Sequence, residues 1–327
     1  MFRGILIEKA ADGVERVGLQ ELDEQRLPSG DVTIRVSHSS INYKDALAIT
    51  GKSPVVRAFP MVPGIDLAGV VERSEHPDFV VGQGVLVTGS GMGETSWGGL
   101  AQKARVPAEA VIALPSGLSA RQAMVIGTAG FTAMLSVVAL ERHGVLPESG
   151  PVLVTGASGG VGSFSVSLLA QLGYRVIAST GRPGEAAYLK QLGADEILQR
   201  QELAEPGRAL GKERWAGAID SVGSHTLVNA CACTQRGGAV ATCGLAQGMD
   251  FPATVAPFIL RGVSLLGIDS NFPARPARAR AWQRLAELAT AAWFSEVGHD
   301  ISLEQVISRA PDVLAGKVRG RLAVAMA

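Results

Sequence analysis

The chain has 327 residues, room for about two domains at roughly 150 residues each. Its 30 Lys+Arg balance 30 Asp+Glu, so no broad electrostatic footprint points to nucleic acid or an anionic membrane. With 47% hydrophobic and 18% charged residues the composition excludes a disordered chain, while 40 glycines, well above a usual ~7%, call for tight turns and close backbone approaches.

Cys231, Cys233 and Cys243 are the 3 cysteines, too local and too odd a set for a disulfide framework. A C-x-C without a nearby Cys/His pair is also poor zinc spacing, so small buried thiols in a reducing compartment are expected. Met1–Lys9 turns charged too early for a signal peptide, and no apolar run reads as the ~18 residues that span a bilayer. A soluble, cytoplasmic protein is expected.

In chain order, Gly4–Ile7, Asp31–Ser37 and Gly69–Glu72 read as short strands, punctuated by turns at Pro28–Asp31 and Gly82–Gly84. Between about 119 and 142 the period becomes helical, with Ser119 as N-cap for Ala120–Val125. From 151 to about 270 apolar strands alternate with helices. The strands are Pro151–Thr155, Arg175–Ala178, Gly217–Asp220, Ala239–Cys243 and Ser264–Ile268; the helices are Val161–Leu172, Glu185–Leu192, His225–Ala232 and Val255–Leu260. Continuous apolar strands in such an alternation imply a doubly wound parallel sheet covered on both faces, an α/β fold. A long helix, Ala277–Trp293, follows, and the terminal strand Gly320–Val324 is expected to return to the first domain's sheet.

The strand Val152–Thr155 runs into Gly156-Ala-Ser-Gly-Gly-Val-Gly162 and then a helix. Small residues there let backbone N–H groups reach a pyrophosphate, and the helix N-terminus adds partial positive charge. Ala157 breaks the strict G-x-G-x-x-G, whereas Gly159 and Gly162 fit its later glycines. A P-loop is excluded because no Gly stands five residues before a Gly-Lys-Ser/Thr. Counting 20 residues on from Gly162 reaches Arg182, and no Asp or Glu occurs from 174 to 184. A guanidinium grips a ribose 2′-phosphate that an acid would repel, which favours NADPH; a solvated Arg at a strand end is the alternative. The T-G-x-x-x-G-x-G of short-chain dehydrogenases is also matched by Thr155–Gly162. No Tyr here is followed at the fourth residue by the Lys those enzymes need.

Further along, Asn42-Tyr-Lys-Asp45, Pro60–Gly69, Gly127-Thr-Ala-Gly-Phe-Thr132 and Leu192-Gly-Ala-Asp195 stand in one order. With these the chain resembles the medium-chain dehydrogenase/reductase superfamily from end to end. Ser40–Lys52, Gly127–Ala133, Val154–Ser163, Trp215–Asp220, Pro257–Arg261 and Gly267–Ser270 narrow the resemblance to its acryloyl-CoA reductase branch, related to quinone reductases. The resemblance implies a GroES-like, mostly β catalytic domain (1–123 and 271–327) and a Rossmann NADPH-binding domain (124–270). It implies cofactor contacts at Tyr43, Ser158, Gly159, Gly160, Val161, Thr180, Gly181, Arg182, Arg200, Leu245, Ile259 and Ser270. Relatives often carry Asn or Gln before the C-terminal Gly-Arg, where this chain has Arg319, which puts a contact there in doubt. The loop Gly89–Gly99 keeps the family's glycines and Trp97. Zinc-dependent members place ligands where this chain has Asn42 and Ile65-Asp66 and add a four-cysteine loop; neither set is present, so no metal is expected.

Without a metal, reduction of a C=C bond conjugated to a thioester fits. Hydride goes to the β-carbon, charge builds on the carbonyl oxygen, and the protein orients the alkene and stabilises that oxyanion. Tyr43, in a turn expected to face the nicotinamide across an interdomain cleft, is the candidate donor or a group that only positions the cofactor. Asn42 either orients the substrate or braces the loop. Asp66 is read as capping the turn after Pro63-Gly64, with an anchoring role as the alternative. His38, His143 and His225 are poorly placed. The expected substrate is acryloyl-CoA; a quinone or another activated alkene is the alternative, and a non-enzymatic NADPH-binding sensor a third reading. Lys52 and Arg57 are candidates for holding the CoA tail. The apolar edge strand Ser264–Ile268 is expected to pair across a two-fold axis into a homodimer.

Overall fold

The computed structural model describes residues 1–11 and 13–326. They fall into two compact units, 1–128 with 270–327 and 129–269, so the boundaries stand at 128/129 and 269/270.

The first unit opens with β1 (Phe2–Lys9) and β2 (Glu15–Leu22), an antiparallel pair in which Gly4 lies against Gln20. Then come β3 (Val32–Ile41), α1 (Tyr43–Thr50), β4 (Asp66–Ser74), β5 (Gly84–Thr88), β6 (Lys103–Val106) and β7 (Ile112–Ala113). Strands β3, β4 and β5 are antiparallel neighbours whose inward residues Ile34, Val36, Leu67, Val71, Val85 and Val87 are buried in one cluster. In β3 the exposed Arg35 and Ser37 alternate with these inward residues, whereas β4 and β5 are buried on both faces over Asp66–Gly69 and Val85–Thr88.

Helix α2 (Ala120–Arg142) follows, with Ser119 and Gln122 exchanging side-chain and backbone bonds at its start, a capping box. Its centre corrects one expectation: residues 123–140 carry no charge, and the helix is long and apolar enough to cross a membrane by length and composition alone. Most of that window, 78%, is buried inside the fold.

The second unit takes α2's last part, then β8 (Val152–Val154), α3 (Gly160–Gln171), β9 (Val176–Thr180), α4 (Ala186–Gln191), β10 (Glu196–Gln199), α5 (Gln201–Ala204), β11 (Trp215–Asp220), α6 (Ser224–Ala232), β12 (Thr234–Thr242), α7 (Ala256–Arg261) and β13 (Ser264–Gly267). Its strands are all parallel, in the order β10-β9-β8-β11-β12-β13. That is a Rossmann sheet with its topological switch point between β8 and β11.

The chain then re-enters the first unit with α8 (Arg275–Glu287), β14 (Gly298–Ser302), α9 (Val306–Leu314) and β15 (Arg321–Ala325). The long helix expected to Trp293 stops at Glu287, where the Leu288 N–H already bonds back to Arg284 and Ala286; Trp293–Val297 is a separate π-helical turn. Strand β15 lies between β3 and β14, so the terminal strand joins the first unit's sheet as expected.

Candidate active site

The glycine-rich turn sits at the C-terminal end of β8, beside the switch point, where α/β sheets bind ligands. Gly156 turns the chain at φ +58, a left-handed conformation that favours glycine. A Cβ on Gly162 would come within 2.3 Å of the Gly156 carbonyl oxygen, so its absence lets α3 start close against the turn. Gly159 is the N-cap of this 12-residue helix, and Gly160 and Val161 are its first residues. The N–H groups of a helix's first turn have no partner within the helix and are the general means by which a helix N-terminus takes an anion.

At the neighbouring strand end the structure brings Ser158, Thr180, Gly181, Arg182 and Arg200 together. Ser158 and Thr180 hydroxyls are 3.0 Å apart. Arg182 folds back over the turn, its Nε donating to Ser158 Oγ (3.1 Å) and Nη2 to the Ser158 carbonyl (2.8 Å). Arg200 crosses Gly181 so closely that a Cβ there would lie 2.5 Å from its Cδ and Nε. Two guanidiniums flank this strand end, a donor set fitted to a phosphate.

The other expected cofactor residues of this unit are dispersed. Leu245 lines an open recess of ≈ 510 Å³ at the C-terminal ends of β12 and β13, with Thr242, Cys243 and Gly267. Ile259 stands 72% exposed on α7. Burial pushes the Cys231 and Cys243 thiols up to about 12, so they stay neutral.

In the first unit, Tyr43 is not in a turn but is the first residue of α1, with Asn42 as N-cap. The Tyr43 side chain is 38% exposed, while Asn42 is buried. Asp45 completes the cap by accepting the Asn42 N–H (2.8 Å) and the Ile65 N–H (2.9 Å). Burial, reinforced by the charge of Asp66, raises Asp45 to about 7 against the lowering effect of those hydrogen bonds. Ser270, half-buried at the other end of the expected contact set, lies against Gly89. The adjoining loop is tied down at Glu94, which accepts from Lys44 Nζ (2.6 Å) and Asn271 Nδ2 (3.3 Å).

Asp66 does not cap the turn after Gly64. It opens β4, fully buried, as the hub of a charged network. Its carboxylate accepts from Ser40 Oγ (2.6 Å), Asn42 Nδ2 (2.8 Å), Thr128 Oγ1 (2.6 Å) and Thr128 N–H (3.0 Å). Arg321, from the start of β15, lies 3.4 Å from it. All five N–H groups of Arg321 are matched: Val125 O (3.1 Å), Ile41 O (3.3 Å), Asn42 Oδ1 (2.9 Å), Ser40 Oγ (2.7 Å) and Asp66 Oδ2. Burial pulls the Arg321 pKa down while Asp66 and Asp45 oppose that pull. The Asn42 amide therefore has no N–H left to donate to a substrate, since Nδ2 faces Ser40, Asp45 and Asp66. Of its two expected roles the geometry supplies the bracing one. Among the described residues no group of three or more His, Cys, Asp or Glu could hold a metal. A dication beside the buried Arg321 guanidinium would meet like charge, so these residues do not fit zinc.

Residues 28–116 match the alcohol dehydrogenase GroES-like domain, and 160–289 match a domain described as zinc-binding dehydrogenase. The chain is 52% identical to the Escherichia coli "Probable acrylyl-CoA reductase AcuI", over 98% of this chain and 99% of that protein. It is 46% identical to acrylyl-CoA reductase AcuI of Ruegeria pomeroyi, over 99% of each. YhfP of Bacillus subtilis, which carries the name of a quinone oxidoreductase, is 44% identical over 99% of this chain and 98% of its own. Among solved structures, the Salmonella enterica oxidoreductase YhdH in complex with NADP superposes with a TM-score of 0.96 at 50% identity, covering 99% of both chains. YhfP with NAD bound gives 0.94 at 44%, again over 99% of both.

Proposed function

Because the chain belongs to the zinc-free acrylyl-CoA reductase branch of the medium-chain dehydrogenase/reductase superfamily, we propose that it catalyses NADPH-dependent reduction of the C=C bond of acryloyl-CoA to propanoyl-CoA. One observation carries the chemistry. Where zinc-dependent relatives set metal ligands, this chain places the sealed Asp66–Arg321 network, so polarising the substrate carbonyl falls to hydrogen-bond donors. A conjugated thioester suits such a site, because only its enolate oxygen needs stabilising.

The first turn of α3 holds the pyrophosphate, and Ser158, Thr180, Arg182 and Arg200 hold the ribose 2′-phosphate. Bound NADPH supplies the hydride that the β-carbon accepts. Tyr43 donates a hydrogen bond to the carbonyl oxygen as negative charge builds there, and a proton from water completes the α-carbon. The Tyr43 hydroxyl makes no hydrogen bond within the described residues, which leaves it available for this role. Asn42 acts by bracing the helix start beneath it. The exposed Lys52 and Arg57, on the segment after α1, are the candidates for the CoA phosphates.

We also propose a cytoplasmic homodimer joined along β13. Ser264–Gly267 ends the parallel sheet with neither Pro nor charge, and the preceding α7 exposes Ile259 and Leu260, with Val255 exposed just before it. Such an edge invites strand pairing.

The test of the chemistry is isotopic. Reduction with NADPH carrying deuterium on the transferable position in ordinary water should give propanoyl-CoA with one deuterium on C3. Unlabelled cofactor in D2O should place one on C2. NADPH consumption without label in the CoA product would reject the reading.

A further inference from the structure

We propose that the buried Asp66–Arg321 pair is the positioning device for Tyr43, acting through both ends of the Asn42 amide. The inference rests on the reading that the Tyr43 hydroxyl stabilises the enolate.

Arg321 Nη1 donates to Asn42 Oδ1, and Asn42 Nδ2 donates to Asp66 Oδ2, so one ion pair fixes which way the amide points. Ser40 Oγ ties the clamp together, donating to Asp66 and accepting from Arg321 Nη2 and Asn42 Nδ2. Asn42 is the N-cap of α1, and its carbonyl accepts the Ala46 N–H (3.0 Å) that starts the helix. The next residue is Tyr43. A clamped N-cap sets where the helix begins and hence where that side chain starts. The same carboxylate holds Thr128, the residue that follows the break in α2, so strand, helix start and chain crossover share one anchor.

The energetics favour positioning over stability. A buried ion pair is often no more stabilising than well-packed apolar residues of the same volume. It does impose direction, because every hydrogen bond must be met at once. Here the residues so constrained are the ones next to the candidate donor.

The test is a double-mutant series measured by kcat, by KM for NADPH and by thermal melting. Ser40→Ala removes the hydroxyl that ties the clamp but leaves both charges; Asp66→Asn removes one charge. Each should lower kcat for acryloyl-CoA, by about 10-fold for Ser40→Ala and up to about 100-fold for Asp66→Asn, the size expected when a catalytic group is misplaced by an ångström. KM for NADPH should stay within about two-fold, since uniform binding is untouched. In a Tyr43→Phe background neither change should lower kcat further, because the clamp works through the missing hydroxyl. If Asp66→Asn does not fold, Ser40→Ala decides. Losses that add to that of Tyr43→Phe, or folded variants with wild-type kcat, would overturn the inference while leaving the donor role intact. Wild-type kcat in Tyr43→Phe itself would overturn both.

Discussion

Arg182 commits two of its five guanidinium N–H groups to Ser158, one on the hydroxyl and one on the carbonyl, leaving three for a ligand phosphate. Arg182→Ala should therefore weaken NADPH by about 10–100-fold in a titration, the ~1.5–3 kcal/mol of a hydrogen bond to a charged group, and leave NADH within about two-fold. Equal losses for the two cofactors would remove the 2′-phosphate from this site. Asp45 makes a different kind of statement, about pH. Its carboxyl is raised to about 7 in the folded chain from an ordinary value near 3.8, chiefly by burial. Between those values the folded chain holds a proton that the unfolded chain has released. Asp45's contribution to stability is thus present at acid pH and declines as pH rises towards 7, by at most ~1.4 kcal/mol per unit, and is flat above. The stability difference between wild type and Asp45→Asn, followed by denaturant melts from pH 5 to 8, should shift in that sense. A difference that does not change with pH would show that Asp45 is ionised throughout.

At the scale of elements, α2 is the informative one, because its helical pattern hides an interruption. Gly127 has φ +49 and ψ −160, and a Cβ there would lie 2.5 Å from both Asp66 Oδ2 and Arg321 Nη2. The break frees the Thr128 N–H, which Asp66 then caps from a different strand. Gly173 also has positive φ, +85, but nothing within 4 Å of its would-be Cβ. Gly173→Ala should cost about 1–2 kcal/mol, the left-handed strain alone. Gly127→Ala should cost clearly more, about 3–4 kcal/mol, by adding the collision with the buried pair. Equal costs would mean that the crowding at Gly127 relaxes freely.

These elements also show what could be read in advance. Strands β8, β9, β11 and β13 and the second half of β12 announce themselves as apolar runs, since a parallel sheet covered on both faces needs them; the polar first half of β12, Thr234–Gly238, does not. Strands β10, β2 and β14 carry charged residues and at most one fully buried position each, so no run marks them. The glycine-rich turn and Arg182 lie within one βαβ stretch and are legible at their spacing. The Asp66–Arg321 pair is separated by 255 residues, and only the fold brings it together. Its sole local sign is a charged residue at the mouth of an apolar run, in Gly64-Ile-Asp66-Leu and again in Gly320-Arg321-Leu.

At the scale of the molecule, the assembly and the reaction are the claims to test. Pairing along β13 predicts a species of about twice the 33.9 kDa chain mass in sedimentation at micromolar concentration, and a charged residue at Leu265 should dissociate it. A wild-type chain that sediments only as a monomer would refute the pairing. Reduction of the C=C bond of acryloyl-CoA is tested by steady-state NADPH oxidation with the purified protein. Rates are compared with acryloyl-CoA, with a naphthoquinone and with no acceptor, and the CoA products are identified by mass. The expected result is rapid oxidation with acryloyl-CoA, stoichiometric propanoyl-CoA, and kcat/KM at least about a hundredfold above that for the quinone, a difference of some 2.7 kcal/mol in transition-state binding. Turnover with the quinone but none with acryloyl-CoA, or NADPH binding without turnover of either, would contradict it.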